Sequence, residues 1–230
     1  MTDTITAIAN AMHSDAEALR AISQNVANAQ TPAYRREVPI ARASFDDVAN
    51  ALRLDSSVDV RPGTLQSTGE PLHFAIEGKG FFVVSGAQGE RLTRRGDFRL
   101  DANGQLVTAS GDAVLGASGP IQLTGSPSVA SDGTVRVADV VVDKLRIAEV
   151  TDGTQLQPVG DDTYRLADGE QPLDAGASQV RQGYVETSNV QSVNEMIALM
   201  ETMRRFEASQ RFVRGYDDMV GKAIETLGKV

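Results

Sequence analysis

The chain has 230 residues and a mass of 24.5 kDa, with no cysteine and only two histidines, His13 and His73. Such a length allows one or two domains with a substantial core. The lack of thiols excludes a disulfide scaffold, thiolate zinc or iron–sulfur sites and a cysteine nucleophile, and leaves the redox compartment open. With 22 Lys+Arg against 31 Asp+Glu, the formal charge of −9 argues against nucleic acid or an anionic membrane as main partner.

The N-terminus, MTDTITAIANAMHSD, has neither a basic n-region nor an apolar h-region, so no secretory signal peptide is expected. No apolar run is long enough to cross a bilayer. Residues 1–36 carry three basic and three acidic side chains and residues 188–230 six of each, so the whole net charge belongs to the interior of the chain. Glycine divides in the same way: none precedes Gly63, and 18 of the 21 fall between Gly63 and Gly183. The two ends are one kind of material and the middle another.

The ends read as helices. In the first, Ile5, Met12, Leu19 and Val26 recur every seven residues, with Ile8 and Ile22 as a second column interrupted at Asp15. Pro32 is expected to stop this helix by disfavouring helical geometry at Thr31. In the last segment Leu199, Phe206, Val213, Val220 and Leu227 repeat at seven, and Met196, Met203 and Ile224 supply a second column broken by Gln210 and Asp217. A buried Asp217 would need a hydrogen-bonding or basic partner. Ser192 with Glu195, or Ser188 with Gln191, has capping-box spacing for its start. At ~1.5 Å per residue the helices span about 36 and about 60 Å. An amphipathic helix is ordinarily a lid on its own core, but these seams are narrow stripes of period 3.5 at opposite ends of the chain. The two can cover each other, and the shorter leaves part of the longer for another molecule to bury.

The middle reads as antiparallel β-structure. The expected strands are His73 to Ile76, Gly80 to Val84, Arg91 to Thr93, Phe98 to Leu100, Gln105 to Thr108, Thr134 to Val137, Val140 to Val150 and Thr163 to Leu166. Turn pairs Asn103-Gly104, Asp132-Gly133, Asp152-Gly153 and Asp168-Gly169 separate them. A barrel or sandwich follows rather than βαβ units. Residues 37–62, with Phe45-Asp46-Asp47-Val48, form a connector with no clear pattern.

Short motifs for chemistry fail on inspection. Gly78-Lys79-Gly80 lacks the third glycine and following helix of a dinucleotide loop. Asp101, Asn103 and Asp112 sit around a glycine in the fourth position, where a calcium loop needs it in the sixth. Arg95-Gly96-Asp97 matches an adhesion tripeptide but reads as a turn. His13 and His73 have no neighbouring ligands, and no serine lies in a Gly-x-Ser-x-Gly elbow. No catalytic residue, metal or cofactor is expected.

Four blocks of the chain resemble the axial proteins of the bacterial flagellum, specifically the basal-body rod proteins. They are Ile22-Ser23-Gln24-Asn25-Val26-Ala27-Asn28-Ala29-Gln30-Thr31-Pro32-Ala33-Tyr34-Arg35; Gly63-Thr64-Leu65-Gln66-Ser67-Thr68-Gly69 running on through Leu72 to Val84; Leu92 to Thr108; and Gln182-Gly183-Tyr184-Val185-Glu186-Thr187-Ser188-Asn189-Val190 with Glu195-Met196 and Arg205-Phe206-Glu207. They come in the family's order from end to end. The chain departs from the pattern at Ala33, where the family carries glycine, and at Gln24-Asn25, where it carries paired asparagines. Gly119-Pro120-Ile121 after Val114-Leu115-Gly116, and the short length, look more like the proximal-rod member than the distal-rod or hook member.

The resemblance implies an α+β subunit in four parts. Residues 1–36 and 188–230 would be the discontinuous helices of an inner coiled-coil domain, 37–62 a connector and 63–187 an outer β-rich domain. It implies copies stacked into a drive shaft across the periplasm with other rod and hook proteins, after export through the flagellar type III apparatus. The expected assembly interface is Ile5, Ile8, Met12, Leu19, Ile22, Asn25, Val26 and Asn28 on the first helix. On the second it is Met196, Leu199, Met203, Phe206, Val213, Val220, Ile224 and Leu227. Asn25 and Asn28 have two readings: local capping near a helix end, or, as the resemblance suggests, polar groups that fix the registry between neighbouring subunits. From a different class comes a secreted β-domain binding a ligand or adhesion receptor, with the helices as its oligomerisation stalk. A cell-wall hydrolase is more distant, for want of an acid–base pair.

Overall fold

A computed structural model describes residues 2–42, 53–86, 89–150, 156–166, 173–174 and 178–227. Two helices, α1 (Thr2–Ala27) and α2 (Ser192–Leu227), bracket eighteen strands among these residues. The contacts divide the chain into two units. One comprises Met1–Ala27, Glu37–Ser56 and Gln191–Val230; the other comprises Asn28–Arg36 and Ser57–Val190.

In the helical unit α1 and α2 pack on each other. Asn25 reaches Glu195, while Asp15, ten residues earlier, reaches Arg205, ten residues later, so the two run antiparallel. With 26 residues against 36, α1 is shorter by about 15 Å at the helical rise. Strands β1 (Glu37–Arg42) and β2 (Arg53–Val58) form a two-stranded sheet within what the sequence left as a patternless connector. Phe45 to Val48 lie outside the described residues.

The strand-rich unit is organised on β5 (Gly80–Gly86), whose Gly-Phe-Phe-Val-Val is buried along both faces. Alternation along a strand sends Phe82 and Val84 into one core and Phe81 and Val83 into another. Phe82 meets Phe98 edge-on, centroids 5.2 Å apart, and Phe81 meets Tyr164 in the same way at 6.1 Å. Around β5 the sheet runs β14 (Leu156–Gly160), β15 (Thr163–Leu166), β6 (Gly89–Thr93), β5, β9 (Ala113–Val114), β8 (Leu106–Val107), β7 (Arg99–Leu100). Strand β13 (Ile147–Glu149) also pairs with β5. A separate three-stranded sheet joins β10 (Pro127–Val129), β11 (Thr134–Val137) and β12 (Val140–Lys144). Two ribbons bring distant segments together: β17 (Gln179–Gln182) on β4 (Phe74–Glu77), and β18 (Tyr184–Glu186) on β3 (Leu65–Ser67).

The pairings within the strand-rich unit are antiparallel, as expected. The long run from Val140 to Val150 is not one strand, because Leu145 and Arg146 turn inward between β12 and β13 to bond Gly133 and Leu115. Gly104 and Gly133 take positive φ in their turns, whereas Asp152-Gly153 and Asp168-Gly169 lie outside the described residues. Two hairpins use pairs without glycine at their tips, Ala138-Asp139 and Asp161-Asp162, all four residues at positive φ.

Candidate assembly interface

On α1 the most deeply covered residues are Ala21, Ile22 and Asn25, and Ile8, Met12, Asp15, Leu19 and Val26 are half-buried together with Asn10, Ser14, Glu17 and Ala18. The two columns read from the sequence fall within this wider face, and Asp15 pairs with Arg205 at 3.1 Å. Ile5, at the far end, is 42% exposed. On α2 Glu195, Leu199, Thr202, Phe206, Ser209, Val213 and Tyr216 are covered at four-three spacing, with Ala198 and Gln210 beside them. Leu199, Phe206 and Val213 stand where the heptad reading put them. The second covered column, however, lies one residue earlier than Met196 and Met203 and is polar, and Ile224 is exposed. Burial there is made tolerable by bonding: Thr202 Oγ1 donates to the Ala198 carbonyl at 2.8 Å, and Glu195 accepts from Asn25. Glu195, expected to close a capping box with Ser192, is thus turned into the helix pair. Asp217 is exposed, and Leu227 lies in α2 with its side chain undescribed.

The displaced apolar residues form a second stripe. Val193, Met196, Met200 and Met203 follow one another at three, four and three, 47–71% exposed, with Met219, Val220 and Ile224 exposed further along. Four such side chains on one side of a helix are a face that water covers poorly.

Within the chain the two asparagines make different contacts. Asn25 is 1% exposed. Its Oδ1 accepts from the Glu37 N–H at 2.8 Å, and its Nδ2 donates to the Glu37 carbonyl at 2.9 Å and to Glu195 Oε2 at 3.3 Å. It therefore ties α1, β1 and α2 at one register. Asn28 acts locally, its Oδ1 accepting from Thr31 Oγ1 at 3.1 Å in the turn that follows α1. After Pro32, Ala33 takes φ 60° where the family's pattern has glycine, and its N–H donates to the Glu186 carbonyl at 2.8 Å.

Within the strand-rich unit the residues on either side of that contact form a buried ionic clasp that the sequence reading did not single out. Glu186 is held between Arg35 and Arg94, each at 2.7 Å, and all three side chains are at most 1% exposed. Glu186 Oε1 also accepts from the Gly63 N–H at 2.6 Å. Arg35 donates to the Arg61 carbonyl at 2.7 Å, and Arg94 donates to the carbonyls of Ile76 and Gly80 and stacks over the Phe81 ring. Two guanidiniums share one carboxylate, so a net positive charge is buried. Burial accordingly pulls Arg94 down to about 10, against the stabilising pull of Glu186. Asn189 adds a polar staple: its side chain accepts from the Arg36 N–H and donates to the Asp59 and Arg61 carbonyls.

The adhesion tripeptide is folded in on itself. Arg95 pairs with Asp97 at 2.6 Å, and a Cβ on Gly96 would stand 1.5 Å from the Phe74 carbonyl oxygen. Glycine is required there by close backbone approach, which is the turn reading. Among the described residues no cluster of His, Asp and Glu could hold a metal, and no helix is long and apolar enough to cross a membrane.

Among the described residues a β-rich middle is flanked by terminal helices, an α+β subunit whose helix leads are gathered at one clasp. Residues 75–137 match the family described as flagellar hook protein FlgE/F/G D1 domain, and residues 181–226 the family described as flagellar basal body rod FlgEFG protein C-terminal. The chain is 32% identical to the flagellar basal-body rod protein FlgF of Mesorhizobium japonicum over 220 residues, 91% of each chain. It is 31% identical to FlgF of Caulobacter vibrioides, again over 91% of each. FlgF of Escherichia coli is 31% identical over 89% of this chain and 90% of its own. The chain belongs to the flagellar basal-body rod protein family. It is a structural subunit of the basal-body rod, and the family is one of structural proteins rather than enzymes.

Proposed function

We infer that the chain polymerises through α1 and α2 into the axial shaft that transmits torque across the periplasm, in the proximal part of the rod. The observation that carries this reading is the exposed stripe Val193, Met196, Met200 and Met203 beside the covered one on α2. A helix with one apolar seam is satisfied by one partner; a helix with two adjacent seams needs a second. The four-three spacing on both helices supports an inner coiled-coil domain that other copies and other rod and hook proteins complete. Methionine suits such a face, since its flexible thioether adapts to neighbours that are not identical. Removing each large side chain from water contributes roughly 1.5–3 kcal/mol. The proximal position rests on the short length and on Gly119-Pro120-Ile121, and delivery through the type III apparatus on the family resemblance.

The test uses substitutions that leave the isolated chain intact. Met200→Lys and Met203→Lys alter exposed positions, so each is expected to keep the wild-type far-ultraviolet circular dichroism and a stability within about 0.5 kcal/mol. Each is expected to be missing from purified basal bodies and to fail to restore swimming to a strain lacking the wild-type chain. Normal swimming with either variant would overturn the reading.

A further inference from the structure

Among the described residues of the strand-rich unit, large apolar side chains are exposed at two places: Leu100, on β7, and Val140, Val141 and Val142, on β12. Both are terminal strands. β7 ends the order of the nine-stranded sheet and β12 that of the three-stranded one. An open edge presents unpaired N–H and C=O groups to any strand that approaches, so edges are normally blocked.

The opposite edges of the same sheets are blocked. β10 carries Pro127, and the Gln182 side chain occupies its backbone, accepting from the Val129 N–H at 3.0 Å and donating to the Pro127 carbonyl at 2.8 Å. β14 carries Pro158 and an irregular register. β12 has no proline over Val140–Val142, and the register shift leaves Val142 without a partner on β11. From Asp143 onward its outer side is taken up by residues 116–118: the Asp143 carboxylate accepts from the Ser118 N–H at 3.2 Å, and the Lys144 carbonyl accepts from the Ala117 N–H at 2.9 Å.

The two open edges are complementary in charge. β12 is flanked by Asp139 and Asp143, whereas β7 presents the exposed Arg99 beside Leu100. Arg99 directs one of its donors to the Ala109 carbonyl at 2.8 Å and has others to give. The nearby Asp101 is committed to its own turn, accepting from the Asn103 and Gln105 N–H groups, which hold its carboxyl below the usual range. In the antiparallel register that sets Leu100 against Val142, Arg99 falls at the end of the paired stretch opposite Asp143, whose carboxylate accepts from the Ser118 and Lys144 N–H groups and has further lone pairs for a guanidinium, an apolar pair next to an ionic one.

We propose that β7 of one copy pairs edge to edge with β12 of a neighbouring copy, so that the strand-rich units form a lateral β-contact. The edges differ, so the contact is head-to-tail and repeats into a helix instead of closing into a dimer. This rests on the reading of the chain as a rod polymer and adds where its strand-rich units meet.

The chain has no cysteine of its own, so introduced thiols report unambiguously. Full-length Leu100→Cys and Val142→Cys chains are expressed together, basal bodies are purified and oxidised, and disulfide dimers are read on a non-reducing gel. A dimer is expected in the mixture and its loss when either variant is expressed alone. Arg99→Glu in the Leu100→Cys background should weaken the band. A dimer from Val142→Cys alone would mean like edges meet and would overturn the proposal. So would no dimer in basal bodies that contain both chains, which points to another axial protein on the edge. If the chains are absent from basal bodies, the rod reading fails and this contact with it.

Discussion

The two units of this molecule handle their charged and apolar groups in opposite ways. The core of the strand-rich unit is complete within the chain: β5 is buried on both faces, and even a triad of ionised side chains is enclosed and paired. The helical unit instead encloses a polar column on α2 and leaves Met196, Met200, Met203 and Met219 of that helix outside. A region that must be finished before assembly closes its own core; a region that assembly finishes keeps an apolar helix face in reserve, at the cost of solubility.

The sharpest way to break the comparison is at Glu186. Glu186→Gln leaves Arg35 and Arg94 buried without a counter-charge, and is expected to destabilise the strand-rich unit by about 3–5 kcal/mol, read by denaturant titration of the purified chain. A loss below about 1 kcal/mol would mean water reaches the clasp. On the helical side, Asn25→Ala removes the partner of both Glu37 backbone groups and of Glu195 and should cost about 1–3 kcal/mol, seen as loosened hydrogen exchange in α1 and the start of α2. Equal losses in both units would contradict their separation.

Smaller changes sharpen the contrast from the stabilising side. Ala33 holds a left-handed conformation that costs an L-residue roughly 1–2 kcal/mol, while glycine loses roughly 0.5–1 kcal/mol more chain entropy. Ala33→Gly should therefore raise the melting temperature slightly, a net gain below about 1 kcal/mol. Asp162 is raised from its ordinary 3.8, chiefly by burial, with Arg95 opposing. A carboxyl whose folded value is raised destabilises the fold once ionised, so its cost is present above the folded value and vanishes below the unfolded one. Asp162→Asn, which suits φ 55°, is expected to stabilise the chain at neutral pH and to lose that advantage below about pH 3.8. An advantage that persists at pH 3 would assign the gain to the turn rather than to charge.

Much of this architecture could be read in the chain, for reasons that also explain the rest. The α1 face was legible in part because its large apolar residues recur at four-three spacing, although the deeply covered Ala21 and Asn25 lie off those columns, and β5 because five successive residues avoid polarity. The α2 seam was half legible. Leu199, Phe206 and Val213 stood out, but periodicity assigns the second column to the more apolar residues, and here Glu195 and Thr202 are the covered ones. The hairpins at Ala138-Asp139 and Asp161-Asp162 lack the glycine that signals a tight turn. The clasp was invisible although Arg35, Arg94 and Glu186 all lie in quoted blocks, because a charged residue reads as solvated until the topology brings its partner from 92 residues away.

The ionic triad also sets an order of events. Arg35 emerges early from any process that delivers the polypeptide N-terminus first, but Glu186 comes after four-fifths of the chain, together with β17 and β18, which β4 and β3 need as partners. Until then two cations face each other with nothing between them, and closing the core around them is opposed by their repulsion and desolvation. A chain lacking its last strand is therefore expected to remain loosely packed, with compaction following once that strand is present.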